Sequence, residues 1–316
     1  MEKDKIKIIF FGTAKIGVPS LEALISDKRF QVQALVTQED KPVGRKQIVT
    51  PPPTKIIAEK YKLSVYQPKK LNDIYEQIVS MSPDIIVDIA FAKLVPKKML
   101  ELPKHNCINV HASLLPKYRG AACIQAPIIN GDSISGITIM QMDEGLDTGP
   151  ILKQFIVKLD ELETAETLHD KLAGTACVNL PDTLCSWFKG EIEAKQQNNN
   201  DSTYVKKINK EDGHIDWHLS ASRIEKLIRA YKPWPGTFGY IQKDENKIFK
   251  IISVEKLPIG KDSYSKGELF LFNDTLAIAC GKDALIITEA QIEGKKLMSA
   301  DEILRGHKDI IGKILL

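Results

Sequence analysis

The chain has 316 residues, 43% of them hydrophobic and 27% charged, with a net charge of +3. That length allows one large domain or two, and that composition excludes a disordered, collagenous or disulfide-scaffold protein. The charged start Met1-Glu-Lys-Asp-Lys is unlike a signal peptide, no apolar run approaches the roughly 20 residues of a membrane span, and five scattered cysteines without a Cys-x-x-Cys pair point to reduced thiols in the cytoplasm and to no metal site.

Lys5 to Phe11 reads as a buried strand, Gly12-Thr13 as a turn, and Val18 to Ile25 as a helix. Gln31 to Thr37 is a second strand. Pro51-Pro-Pro53 opens a helix that runs to about Tyr61, because proline suits a first helical turn. Ser64 to Tyr66 is a short strand, Asn72 to Ser80 a helix, and Asp84 to Ala90 a nearly continuous apolar strand. Strands of this kind alternating with helices predict a parallel, Rossmann-like α/β sheet covered on both faces, with ligands beyond the carboxyl ends of the strands. Gly12, Phe91, Asn109 and Asp143 fall at such ends.

Thr164 to Lys189 is a long amphipathic helix that ends a first domain, 1–189. The polar tract Gln196-Gln-Asn-Asn-Asn200-Asp has nothing to bury, so 190–205 reads as a linker. In 206–316 a helix (Ser220 to Ala230) precedes short β-rich runs at Thr237–Ile241, Phe249–Glu255, Gly267–Phe272, Thr275–Cys280 and Ala284–Ile292. These predict a smaller C-terminal OB-like β-barrel. The entire charge excess lies in this second part, which fits either chance or an anionic partner.

Gly12-Thr-Ala-Lys-Ile-Gly17 lacks the Gly-x-Gly-x-x-Gly spacing of a dinucleotide site, so a plain strand-to-helix turn or another ligand edge is the better reading. The loop Gln38 to Pro51 is long and mixed in charge, which suits either a solvated loop or a functional one.

Asn109-Val-His111 closes the apolar run that begins at Cys107. A two-residue spacing on a strand puts both side chains on one face. An amide donor beside an imidazole suits a carbonyl oxygen that is about to become negative. Asp147, in Asp143-Glu-Gly-Leu-Asp147-Thr-Gly149 after a second apolar strand, can fix the histidine's tautomer or act as a base. A structural histidine and a turn acid are the plain alternatives. With no catalytic Ser or Cys partnering His111, the trio points to direct transfer of an activated acyl group to an incoming nucleophile.

Over nearly its whole length the chain resembles the methionyl-tRNA formyltransferase family. The resemblance rests on Ile9-Phe-Phe-Gly-Thr13, Thr37-Gln-Glu-Asp-Lys-Pro-Val-Gly-Arg45, Ile108 to Gly120, Gly136 to Asp143 with Gly145-Leu-Asp-Thr-Gly149, Ile215-Asp-Trp217 and Pro233-Trp-Pro235. The blocks around Asn109 and Asp147 mark 10-formyltetrahydrofolate users generally, while the first loop and the C-terminal part point to tRNA. The chain departs from the family pattern at Ala14, Phe91-Ala92 and Cys123, and its first loop is a residue shorter after Arg45.

The resemblance implies formyl transfer from 10-formyltetrahydrofolate to the α-amino group of initiator methionyl-tRNA, with Asn109, His111 and Asp147 catalytic. It implies a folate slot lined by Phe91, Lys93, Leu94 and Val95, by the turn Ser113, Leu114, Leu115 and Pro116, and by Gln141, Asp143 and Gly145. It implies tRNA contacts from Lys41, Arg45 and Lys46 and from Lys206, Lys207 and Lys210 in a C-terminal tRNA-binding domain. A monomer is expected. Two other readings stay open: a small amine acceptor such as a glycinamide nucleotide or an amino sugar, and a nucleic-acid-binding module without catalysis.

Overall fold

The computed structural model describes residues 5–44, 46–242, 247–259 and 264–316. It divides into two compact units: Met1–Cys123, Ile134–Lys158 and His169–Val205 in the first, Ile124–Ser133, Leu159–Leu168 and Lys206–Leu316 in the second. In chain order the elements are β1 (Ile6–Gly12), α1 (Val18–Ser26), β2 (Phe30–Val36), β3 (Lys41–Val43), β4 (Ile48–Thr50), α2 (Pro53–Lys60), β5 (Ser64–Tyr66), α3 (Tyr75–Met81), β6 (Ile85–Ile89), α4 (Lys97–Leu100), β7 (Cys107–His111) and β8 (Arg119–Gly120). They continue through α5 (Gln125–Asn130), β9 (Ile134–Gln141), β10 (Ile151–Lys158), α6 (Ala165–Phe188) and β11 (Tyr204–Val205).

The first unit is built on a sheet ordered β5-β2-β1-β6-β7-β9-β10. Its first five strands are parallel, and β9 and β10 each run antiparallel to the strand before them in that order. All of β1 except Lys7 is buried, and all of β6 is buried, as helices on both faces require. Ile9, Phe11, Val36, Ile86, Phe91 and Met99 pack into one core cluster on this sheet. The chain steps outward from β1 to β2 and β5, then returns to β6 on the other side of β1. The crevice beyond the carboxyl ends of β1, β6 and β7 is therefore the place where such a sheet binds ligands.

Two local features differ from the sequence reading. The loop after Thr37 contains an antiparallel hairpin, β3 with β4. The polar tract is also engaged rather than free. Lys195 bridges to Ile151 by two backbone hydrogen bonds, and Gln197 and Asn199 accept from the buried Arg119 guanidinium. A tract with no apolar side chains can still be fixed by satisfying a buried charge.

The second unit carries α7 (Ala221–Ala230), β12 (Thr237–Tyr240), β13 (Ile248–Leu257), β14 (Leu269–Phe272), β15 (Thr275–Ala279), β16 (Ala284–Ile292), β17 (Met298–Ser299) and α8 (Ala300–Gly306). The Ser220 side chain caps α7 by accepting from the Arg223 N–H, and Ser299 caps α8 the same way from Glu302. The sheet is antiparallel, ordered β12-β13-β16-β15-β14, with β17 beside β16. The last residues close it: Tyr240 N–H donates to Leu316 O at 2.9 Å and Leu269 N–H donates to Lys313 O at 2.9 Å. Closure removes the sheet's edges and produces the small barrel anticipated from the short strands. Trp217, Ile224, Phe249, Leu269, Ile278 and Leu285 fill its core.

Candidate active site

His111 ends β7, and the chain turns at once. Ser113 Oγ donates to Lys117 O at 2.7 Å, and Thr138 Oγ1 accepts from Leu115 N–H at 3.0 Å while donating to Ser113 O at 2.7 Å. This pins the turn so that Tyr118 comes back over the strand end. His111 Nε2 lies 3.0 Å from Tyr118 O, a contact that a carbonyl can only accept, so Nε2 carries a proton. His111 Nδ1 then faces Asp147 Oδ1 at 3.6 Å, with the two side chains 7% and 14% exposed. Asp147 Oδ2 accepts from Gly120 N–H at 2.7 Å. Gly120 has φ +105°, and a Cβ there would run into Val205 O, so only glycine suits this donor.

Asn109 lies two residues before His111 on β7 and so shares its face. Its neighbours across the strands are Asp88 on β6 and Met140 on β9. Both are in register, so the three residues sit in one row. Among the described residues the Asn109 side chain has no hydrogen-bond partner, which leaves an amide free to donate.

Electrostatics tilt the histidine toward its cation. Burial opposes protonation, but the Cys123 sulfur, the Asp147 carboxylate and the Tyr118 carbonyl outweigh it and push His111 up to about 9. Cys123 corrects the sequence reading, which places no nucleophile beside His111. The turn at 113–120 folds the chain back and places this sulfur among the groups that raise the imidazole's pKa. Asp88 gives no sign in the sequence, because it sits inside an apolar strand. Burial pushes its carboxyl up to about 7, with the Asp147 charge adding to the shift and the Phe91 N–H opposing it.

The other residues singled out from the sequence fall as follows. The Phe91 ring is fully buried against Phe11, with centroids 5.2 Å apart, so only its backbone faces the crevice side, where Phe91 O accepts from Gln38 Nε2 at 2.8 Å. Lys93 Nζ donates to Pro68 O at 2.7 Å, Val95 packs against the core, and Leu94 is 92% exposed. Ser113 and Leu115 are buried, while Leu114 and Pro116 are half-buried. Gln141 N–H donates to Pro150 O at 2.9 Å. Asp143 Oδ1 accepts from Gly145 N–H at 3.0 Å and from Thr148 Oγ1 at 2.7 Å, which shapes the loop that carries Asp147. Lys97 and Glu144 pair at 2.8 Å and so join the loop of Leu94 to the loop of the exposed Leu146.

Lys41 and Lys46 are exposed on the hairpin, whose Val43, Ile48 and Val49 are also exposed, and Arg45 lies outside the described residues. Lys206, Lys207 and Lys210 are exposed in the second unit. Among the described residues no helix is long and apolar enough to cross a membrane.

The comparisons agree with this geometry. Residues 5–184 match the formyl transferase family model, and residues 207–308 match the formyl transferase C-terminal domain. The methionyl-tRNA formyltransferase of Citrifermentans bemidjiense is 39% identical over 306 residues, covering 96% of this chain and 94% of that protein. That of Caldanaerobacter subterraneus subsp. tengcongensis is 41% identical over 313 residues, covering 98% and 100%. The N-formyltransferase from Helicobacter canadensis, solved with folinic acid and dTDP-3-aminofucose, shares the fold at a TM-score of 0.66 and 24% identity, covering 92% of this chain and all of that one. With a free amide, a buried His–Asp pair and near full-length identity of this order, the chain belongs to the methionyl-tRNA formyltransferase family.

Proposed function

We propose that this enzyme moves the formyl group of 10-formyltetrahydrofolate to the α-amino group of methionine esterified to initiator tRNA, acting in the cytoplasm as a monomer. The observation that carries this reading is the buried His111–Asp147 contact beside the unengaged Asn109 amide. The neutral amine attacks the formyl carbon, and the carbonyl oxygen becomes an oxyanion. Asn109 donates to it, and so does the Nδ1–H of His111, since Nε2–H is held by Tyr118 O and Asp147 Oδ1 lies 3.6 Å from Nδ1; each such donor is worth about 3 kcal/mol of barrier. Asp147 takes the proton released by the amine, directly or through water. The new C–N bond is kept as the bond to N10 breaks, and N10 leaves with a proton.

The pterin end of the donor fits between the loops that carry Leu94 and Leu146, over the turn 113–116. What supports this is two exposed apolar side chains on loops joined by the Lys97–Glu144 pair. Residues 1–189 act as the catalytic part. Lys206, Lys207 and Lys210 of the C-terminal part, with Lys41, Arg45 and Lys46 of the first loop, meet tRNA phosphates, which supply affinity and salt dependence rather than sequence choice.

The test is a formylation assay with enzyme, donor and charged initiator tRNA. Formyl-methionyl-tRNA is the expected product, with charged elongator tRNA a poorer acceptor. Absence of product at micromolar enzyme rejects the reading, and turnover of an amino-sugar nucleotide in its place moves the assignment to a small acceptor. Direct transfer also requires no thiol, so Cys123→Ala is expected to keep turnover within about fivefold. A formyl thioester trapped on Cys123 during turnover would instead assign it as a covalent carrier of the formyl group.

A further inference from the structure

Arg119 is among the largest fully buried side chains of the protein, at 1% exposure. Its acceptors among the described residues are all neutral: Gln197 Oε1 at 3.1 Å from Nε and 2.8 Å from Nη2, Asn199 Oδ1 at 2.9 Å, and Tyr204 Oη at 2.9 Å. A buried guanidinium without a carboxylate holds such acceptors tightly, because they alone replace its water. Gln197 is thereby fixed in one amide orientation. Its Nε2 donates to Asp147 O at 2.9 Å and to Gly149 O at 2.8 Å.

Asp147 needs that support. Its φ of 54° is left-handed, which costs a non-glycine residue roughly 1 kcal/mol or more unless its surroundings hold it there. The residues flanking Arg119 hold the rest of the pair: Tyr118 O accepts from His111 Nε2, and Gly120 N–H donates to Asp147 Oδ2. Behind them β11 runs parallel to β8, with Arg119 N–H donating to Thr203 O at 2.8 Å. The segment Gln197 to Val205 thus clamps both halves of the His–Asp pair from behind.

We propose that Arg119 and Gln197 are positioning residues of the His111–Asp147 pair: the guanidinium orients the Gln197 amide, and the amide pins the Asp147 backbone in the turn that aims its carboxylate at the imidazole. This rests on the reading of that pair as the transfer site only for its effect on activity. Its effect on the imidazole is independent of that reading.

The experiment follows the His111 ring by NMR titration of histidine-labelled full-length protein, its signal assigned by loss in His111→Gln. Gln197→Ala removes both donors to the 147–149 backbone. Gln197→Glu keeps a partner for Arg119 but turns oxygen lone pairs on the Asp147 and Gly149 carbonyls. Both are expected to lower the His111 pKa by about one unit or more, because Asp147 drifts from the ring, and to cut kcat at least about tenfold with donor KM within about twofold. Ser80→Ala, whose exposed hydroxyl donates only to Gln77 O among the described residues, is the control that moves neither. An unmoved His111 titration in both Gln197 variants overturns the proposal, whatever the activity does. A shifted titration with unchanged kcat upholds the positioning role and removes the pair from the transfer step.

Discussion

Asp147→Asn is expected to lower kcat for formyl transfer by about three orders of magnitude while leaving donor KM within about threefold. The reason is a forced amide orientation. Gly120 N–H already claims one atom of the side chain, at 2.7 Å from Oδ2. In the asparagine variant that atom is the amide oxygen, so the NH2 group faces His111 Nδ1. Nδ1 must then accept, while Nε2 stays bound to Tyr118 O. The imidazole is locked neutral with no proton on Nδ1, so the oxyanion loses a donor and the amine loses its base in one substitution. A pH–rate profile separates this from simple misfolding. The native ring, pushed up to about 9 after burial is outweighed by Cys123, Asp147 and Tyr118, holds its proton through neutral pH and loses donor strength as pH rises through that value. In the variant the alkaline limb of kcat moves toward lower pH. Retention of more than about a tenth of native kcat would take Asp147 out of the mechanism.

The parts of this site that were legible in the sequence are those set by short-range geometry. Asn109 and His111 share a face because a strand has period two, and β6 and β7 were visible as apolar runs because a sheet covered on both faces demands them. The antiparallel direction of β9 and β10 was not legible, since hydropathy carries no strand direction. The hairpin of β3 and β4 escaped because its apolar residues Val43, Ile48 and Val49 face outward, 57%, 61% and 64% exposed, and so show no core periodicity. Gln197 and Arg119 are 78 residues apart, and a polar tract that satisfies a buried charge looks the same in one dimension as a solvated linker. Asp88 was hidden differently. One carboxylate in Ile85-Ile-Val-Asp-Ile89 hardly interrupts an apolar run, yet its register across the sheet puts it in one row with Asn109.

That buried carboxyl gives the second large expected effect. Asp88 is 4% exposed, and its Oδ1 accepts from Phe91 N–H at 3.2 Å. Burial first, and then the Asp147 charge, push it from 3.8 up to about 7 against the pull of that N–H. The folded state therefore holds a proton that the unfolded chain has released. For a carboxyl raised in this way, stability is fully present below the unfolded value and is lost as pH rises through the folded one. Between about pH 4 and pH 7 the first unit should lose on the order of 4 kcal/mol from this group alone. Asp88→Asn keeps the shape and the acceptor for Phe91 N–H but cannot ionise. The variant is expected to lie close to the native chain at about pH 4 and to exceed it by several kcal/mol at about pH 8, read as equal hydrogen exchange of the β6 and β7 amides at the first pH and slower exchange in the variant at the second. Equal differences between variant and native protein at the two pH values would show that Asp88 is ionised in the folded protein at low pH, and that the row of Asp88, Asn109 and Met140 is wetter than its burial indicates.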